Sequence, residues 1–276
     1  IARPDQQLII DGVASRERSD SIRLTLDNFD ISPLSALINR WGYNLGGVSN
    51  GYATVKSALN NPEIEARINL DDIDVNGIEA PPQEITSNWD FEANRARVII
   101  RDRQSLDTVI RGYYQPQGNR YMAEARMRRV KLGLISPFLK GIISDMEGDA
   151  NVIAKVVGEG RQATLSGQAT VDSIGATIDY TQVRYTAPFA TVKIVDNNII
   201  AERVPVYDPE GNVGHFSMDI SLDHLSNITY GFDIDARNML VLDTDAKDND
   251  LFYGHVYASG SASFNGDKRG IKMDID

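Results

Sequence analysis

Apolar and polar residues alternate one by one through most of this chain, and a period of two constrains the fold more than any other feature of it. Ile22, Leu24 and Leu26 alternate with polar residues, as do Ile64, Ala66, Ile68 and Leu70. The pattern returns at Phe216, Met218, Ile220 and Leu222, and again at Tyr230, Phe232, Ile234 and Ala236. Each run reads as a strand with one dry face and one wet face. Turn signals part the runs: Asn60-Asn61-Pro62, Gln117-Gly118-Asn119, Asp196-Asn197-Asn198, Asp208-Pro209-Glu210-Gly211-Asn212 and Asn265-Gly266-Asp267. They recur about every 8–12 residues, the spacing of an all-β protein, which implies on the order of fifteen strands or more. An open sheet of more than about ten strands curls, closes or splits. The expected fold is therefore all-β, an elongated sheet folded on itself.

Two short helices are predicted within it. Ser32-Pro33-Leu34-Ser35-Ala36-Leu37-Ile38 and Ser136-Pro137-Phe138-Leu139-Lys140-Gly141-Ile142 share one design. In each, the serine is placed to cap the N-terminus and proline suits the first helical position, where its missing N–H goes unused. The strands that follow belong to an internal repeat, Gly-x-Ala-x-Val/Phe, found at Gly51 to Val55, Gly148 to Val152, Gly167 to Val171 and Gly260 to Phe264. Its Gly, Ala and Val/Phe fall on one face, so something approaches the sheet closely there. That is either a ligand in a groove or a facing strand at a bend.

No linker or break in composition divides residues 1–276, which read as one segment. The chain starts at Ile1 rather than Met and ends at Asp276 within an alternating run (Ile271, Met273, Ile275), so it is expected to be a piece of a longer protein. Within residues 1–276 no apolar run is long enough to span a bilayer as a helix, and no signal-peptide pattern is expected there. Cysteine is absent, which excludes disulfides and thiolate metal sites. A formal net charge of -11 argues against general nucleic-acid binding.

Catalytic and metal signatures are missing. His215, His224 and His255 form no His-x-x-x-His or His-Glu-x-x-His pattern, and no Gly-x-Ser-x-Gly elbow is present. The acidic loop at residues 243–250 places Lys247 and Asp248 where an EF-hand needs an oxygen ligand and a glycine, so it reads as a solvated hairpin loop. The chain is expected not to be an enzyme and to carry no cofactor or metal. Residues 95–131 hold ten basic residues against three acidic ones. Arg95 and Arg97 share one face of a strand, and Arg126 and Arg128 share one face of another. If those strands are neighbours they form a positive stripe, which meets lipid headgroups or an acidic partner, or is a solvated face balanced by nearby carboxylates.

Some segments resemble a known family. Val204-Pro205-Val206-Tyr207-Asp208-Pro209-Glu210-Gly211-Asn212 is similar to a turn of the TamB family of Bacteroidetes-type bacteria. Asn238-Met239-Leu240-Val241-Leu242-Asp243-Thr244, Asp248-Asn249-Asp250-Leu251-Phe252-Tyr253-Gly254 and Tyr257-Ala258-Ser259-Gly260 resemble it too, as do Val183-Arg184-Tyr185 and the Ser-Pro helices. The likeness is most specific over residues 174–276. The TamB/AsmA-like resemblance implies a β-taco, a U-shaped trough with an apolar interior. It also implies a periplasmic protein anchored in the inner membrane through a segment absent from this chain. It further implies a role in lipid movement between membranes and in outer-membrane biogenesis. The implied partners are phospholipid acyl chains and a BamA/TamA-like outer-membrane barrel protein, the latter through regions outside this chain.

Parity names the residues expected to line such a trough: Ile64, Ile68, Leu70, Val98, Ile100, Val152, Leu165, Val171, Phe216, Met218, Ile220, Phe232, Ile234, Phe264, Ile271 and Met273. Burying a sixteen-carbon chain there gains on the order of 12 kcal/mol before ordering costs. The competing expectation is an assembly scaffold, in which a free sheet edge templates strands of an outer-membrane barrel protein. A parallel β-helix enzyme is disfavoured by the lack of clustered carboxylates and regular short rungs.

Overall fold

The computed structural model describes residues 6–223, 227–247, 253–267 and 269–276. Seventeen strands are present among them: β1 (Gln7–Gly12), β2 (Ser21–Asp30), β3 (Leu45–Lys56), β4 (Glu63–Val75), β5 (Ile78–Ala80), β6 (Gln83–Asp90), β7 (Arg95–Asp102), β8 (Thr108–Gln115) and β9 (Arg120–Lys131) come first. They are followed by β10 (Ile143–Glu159), β11 (Gln162–Ile178), β12 (Val183–Val195), β13 (Asn198–Tyr207), β14 (Val213–Asp223), β15 (Asn227–Thr244), β16 (Gly254–Asp267) and β17 (Gly270–Ile275). They form one antiparallel meander that does not close. The short β5 folds back on the end of β4, which also pairs with β6.

The chain divides into two compact units, Ile1–Arg126 with Lys155–Ala163, and Met127–Ala154 with Thr164–Asp276. The division falls inside β9, β10 and β11 rather than in a linker. The second unit has a core of small residues, Ala150, Val171, Ala187, Ala190, Ala201 and Val204, with Val152, Ile174, Val192 and Met218 packed against it. In the first unit the buried apolar residues are Ile31, Ala96 and Ala163 among those described.

The predicted turns at Asn60 to Pro62, Gln117 to Asn119, Asp196 to Asn198 and Asp208 to Asn212 connect or border strands as expected. Asn265-Gly266-Asp267 does not turn. These residues end β16, paired with Gly270, Ile271 and Lys272 of β17. The side chain of Tyr230 lies against Gly266, so the glycine serves close packing, with no turn made there.

The first Ser-Pro site is helical, with 3-10 turns at Ser32–Leu34 and Asn39–Trp41 flanking an α-helical turn, α1 (Ser35–Ile38). The second, Leu132–Leu139, is a 3-10 helix with no α-helical turn. Neither serine caps as predicted. Ser32 lies inside the helix, and its amide donates to Oδ1 of Asp30 at 2.8 Å. Ser136 Oγ donates back to the Gly133 carbonyl at 2.7 Å.

Alternation is interrupted in several strands by a polar residue in the left-handed region. Asn28, Asp72, Arg203 and Asn238 have φ near +50° and sit where the cross-strand register slips by one residue. Each is the extra residue of a β-bulge. Three of their amides are capped from the neighbouring strand. Asn28 N–H donates to Asn50 Oδ1 at 2.8 Å, Arg203 N–H to Ser217 Oγ at 3.1 Å and Asn238 N–H to Ser259 Oγ at 2.8 Å. Arg129, also left-handed, donates to Asn151 Oδ1 at 3.2 Å. At these points the apolar step lengthens from two to three, as from Leu26 to Phe29 and from Ala201 to Val204.

Candidate functional site: an apolar face of the sheet

Residues directly opposed in an antiparallel pair project from the same side of the sheet. In the first unit the register therefore links Leu8, Leu26, Gly51, Ile68, Ile85, Ile100, Ile110 and Ala125 into one row across eight strands. A neighbouring row runs Leu24, Ala53, Ala66, Ser87, Val98, Gly112 and Ala123. Ile64, opposite Val55, lies on the same face. Leu70 marks its limit, because its neighbours onward are Gln83 and Asp102.

The second unit repeats the arrangement. Gly167, Ile194, Ile199, Ile220, Tyr230, Gly266 and Ile271 form one row; Ala201, Met218, Phe232, Phe264 and Met273 form the next; Val204, Phe216, Ile234, Ala262 and Ile275 form a third. Leu165 and Val171 follow from their spacing to Gly167 on β11, and Val152 packs with Val171 in the core. The rings of Phe216 and Phe232 are stacked at 5.9 Å, and those of Tyr230 and Phe232 at 5.4 Å.

All the residues expected from parity thus lie on one face of their own unit. Of them Val171 is buried, Met273 is 57% exposed, and the others with described side chains are half-buried. Ile271 is placed by its backbone pairing alone. Ile85, Ile110, Ile194 and Ile199 share these rows outside the expected set, although the parity of their own runs marks them, and Tyr230 of the alternating run on β15 joins them. Partial burial is what a sheet face yields when few side chains pack against it.

The opposite face is polar. In the first unit its central row is Thr25, Tyr52, Arg67, Thr86, Ile99, Arg111 and Glu124. The basic stretch belongs here and is partly matched by carboxylates. Arg95 and Arg97 meet Asp90, Arg103 meets Asp71, and Arg111 meets Glu124. The amide of Ala93, then Arg97 and Arg95, hold Asp90 below the usual carboxylate range. Arg111, and more weakly Lys155, do the same for Glu124. The strands carrying Arg97 and Arg126 are not neighbours, since β8 lies between β7 and β9.

The repeated glycines have a backbone explanation. Gly51, Gly148, Gly167 and Gly260 have φ between +128° and +154°. A Cβ on Gly51 or Gly167 would fall 2.1–2.2 Å from a carbonyl oxygen of the adjoining strand, and one on Gly260 2.2 Å from that of Asp276, just past the end of β17. What approaches at these three glycines is the backbone of the neighbouring segment of the chain itself.

The segments Val204 to Asn212 and Asn238 to Thr244 meet at a buried carboxylate. Asp208 Oδ1 accepts from the amides of Glu210 and Asn212 at 3.0 and 2.8 Å. Its Oδ2 accepts from Asn212 Nδ2 at 2.9 Å and the Leu240 amide at 2.8 Å. Burial raises its pKa, but these donors outweigh that and leave it below the ordinary value. Tyr185 donates to the Leu240 carbonyl at 2.9 Å, and burial, with the charge of Asp208, pushes its pKa up to about 12. This is a structural clamp, with every Asp208 contact internal.

Among the described residues no group of three or more His, Asp or Glu is placed to hold a metal, and no helix is long and apolar enough to cross a membrane. His255 Nδ1 lies 2.7 Å from Asp243, His215 is opposite Asp235, and His224 and residues 248–252 lie outside the described residues. No protein-family model, curated protein or solved structure matches this chain.

Proposed function

We propose that this chain is a non-catalytic periplasmic segment of a TamB/AsmA-like protein that shields or conducts phospholipid acyl chains along an apolar trough and so supports outer-membrane biogenesis. The observation that carries this reading is the register-linked apolar face, repeated in both units and only half-buried. An acyl chain requires an unbroken apolar path more than any specific polar contact. Each methylene removed from water contributes about 0.8 kcal/mol, so even a few covered groups bind measurably. The resemblance of residues 174–276 to the TamB family points the same way.

The competing reading is an assembly scaffold that pairs with strands of an outer-membrane barrel protein. One observation favours it. Every residue of β1 is exposed, including Leu8, Ile9 and Ile10, and its described pairing is with β2 alone. It has neither lysine nor proline, the usual protections of a free edge.

Photo-crosslinkers at Ile220 and Ile234, compared with one at Ile9, separate the two. The lipid reading expects lipid adducts at the first two positions in cells, and lipid retained in native mass spectra of the purified chain. Protein adducts at Ile9 with no lipid adduct on the face would establish the scaffold instead.

A further inference from the structure

The helical connection of the first unit is apolar on its outer side. Leu34, Leu37 and Trp41 are spaced as one helical face and are 44%, 69% and 47% exposed, whereas Ile31 on the inner side is buried. The Arg40 guanidinium lies over the Trp41 ring at 4.1 Å, and among the described residues it has no carboxylate partner. The second unit has a counterpart in and just after Leu132–Leu139, where Ile135 and Ile142 are 45% and 54% exposed beside exposed Lys140.

Charge supplies an independent observation. The chain has 39 acidic residues, yet its two longest stretches without Asp or Glu are residues 31–62 and 125–144. Each contains one of these connections. A contact with a neutral protein does not require such clearance, and an acidic protein would call for more than the one basic residue each connection offers. Contact with phosphate headgroups requires it, because a carboxylate there faces both like charge and desolvation.

We infer that each of these connections is, in its own unit, a membrane-contacting tip that seats in the interfacial layer of a phospholipid bilayer. Leu34, Leu37 and Trp41 enter the boundary between headgroups and acyl chains, and Arg40 extends back to the phosphates. Ile135, Ile142 and Lys140 do the same in the second unit. Acidic residues do stand nearby: Asp30 at Ser32, Asp74 and Glu79 on the β4–β5 hairpin, whose Asn76 bonds Gly42 at the foot of the first tip, and Asp179, whose amide donates to the Ile142 carbonyl at 3.0 Å; with one basic residue in each helical connection, apolar insertion dominates. This inference is independent of the acyl-chain reading, since it concerns strand connections and not the sheet face.

The test is flotation of the whole chain with phosphatidylcholine vesicles, with and without about a third phosphatidylglycerol. The wild type is expected to float with both. Leu34→Ser/Leu37→Ser/Trp41→Ser is expected to lower partitioning by about tenfold or more with an unchanged far-ultraviolet circular dichroism spectrum. Adding Ile135→Ser and Ile142→Ser lowers it further, and Arg40→Glu acts mainly on the anionic vesicles. Leu106→Ser, in the exposed β7–β8 connection outside both tips, is expected to leave flotation intact. Failure of the wild type to float, or equal flotation of wild type and the folded triple variant, overturns the inference. So does a crosslinker at Leu37 that labels protein and no lipid in cells. Loss of flotation in Leu106→Ser as large as in the triple variant would assign membrane binding to exposed apolar residues at large and also overturn it.

Discussion

Asp208 offers the sharpest quantitative test of the architecture. Of its four accepted hydrogen bonds, those from the Glu210 and Asn212 amides and from Asn212 Nδ2 arise within an accessible turn, where water can substitute. The fourth is different, because Leu240 is buried and its amide has Asp208 as acceptor. Leaving that donor unsatisfied costs about 1–3 kcal/mol, and a charged acceptor places the bond at the upper end. With smaller losses in the turn, Asp208→Ala should destabilise the second unit by about 2–4 kcal/mol. Asp208→Asn should cost almost as much, since one end of its amide presents a donor to donors. Hydrogen exchange at the Leu240 amide reads the local loss directly, and urea unfolding followed by circular dichroism reads the global one. The sign with pH follows from the carboxyl being held below its ordinary value in the folded protein. Its stabilisation is complete above the unfolded pKa of about 4 and is lost as pH falls through the folded value, so wild type and Asp208→Asn should converge in acid. A destabilisation below about 0.5 kcal/mol, with Leu240 protection unchanged, would refute the clamp.

Four further outcomes are expected. Gly167→Ala should cost about 3 kcal/mol or more in urea unfolding, because its Cβ would lie 2.2 Å from the Ile153 carbonyl at a φ of +154°. Gly270→Ala, which meets nothing within 4 Å, should stay within about 0.5 kcal/mol. At the bulge, Asn28→Val should cost about 1–2 kcal/mol, whereas Asn28→Gly should cost less, since glycine accepts the left-handed conformation. Ile220→Asp and Ile234→Asp, made singly and verified as folded, should abolish lipid crosslinking from the apolar face.

Much of this was legible because parity is local. Ile64, Ile68, Phe216, Met218, Phe232 and Ile234 each declare their face through the residues two away, and no knowledge of the partner strand is needed. What was not legible depends on neighbours distant in sequence. The step from Leu26 to Phe29 looks like a broken pattern until Asn50 is found capping the Asn28 amide. Gly167 reads equally as a groove floor or a close approach until the Ile153 carbonyl is placed beside it. The second Ser-Pro site carried the same signature as the first, yet it folds as a 3-10 helix while the first includes α1. Asp208 was visible only as part of a turn, because its buried donor comes from Leu240, 32 residues away.

The left-handed bulges also bear on how such a chain changes length. A single-residue deletion in a regular strand inverts every side chain beyond it, exchanging wet for dry. Removing Asn28, Arg203 or Asn238 instead would restore an uninterrupted alternation and leave Phe29, Val204 and Met239 on the side they already occupy. These positions act as phase adjusters, where one residue can be lost without inverting the strand. Among relatives of this chain, single-residue gaps should concentrate at these three strand-interior sites as well as in the connecting loops.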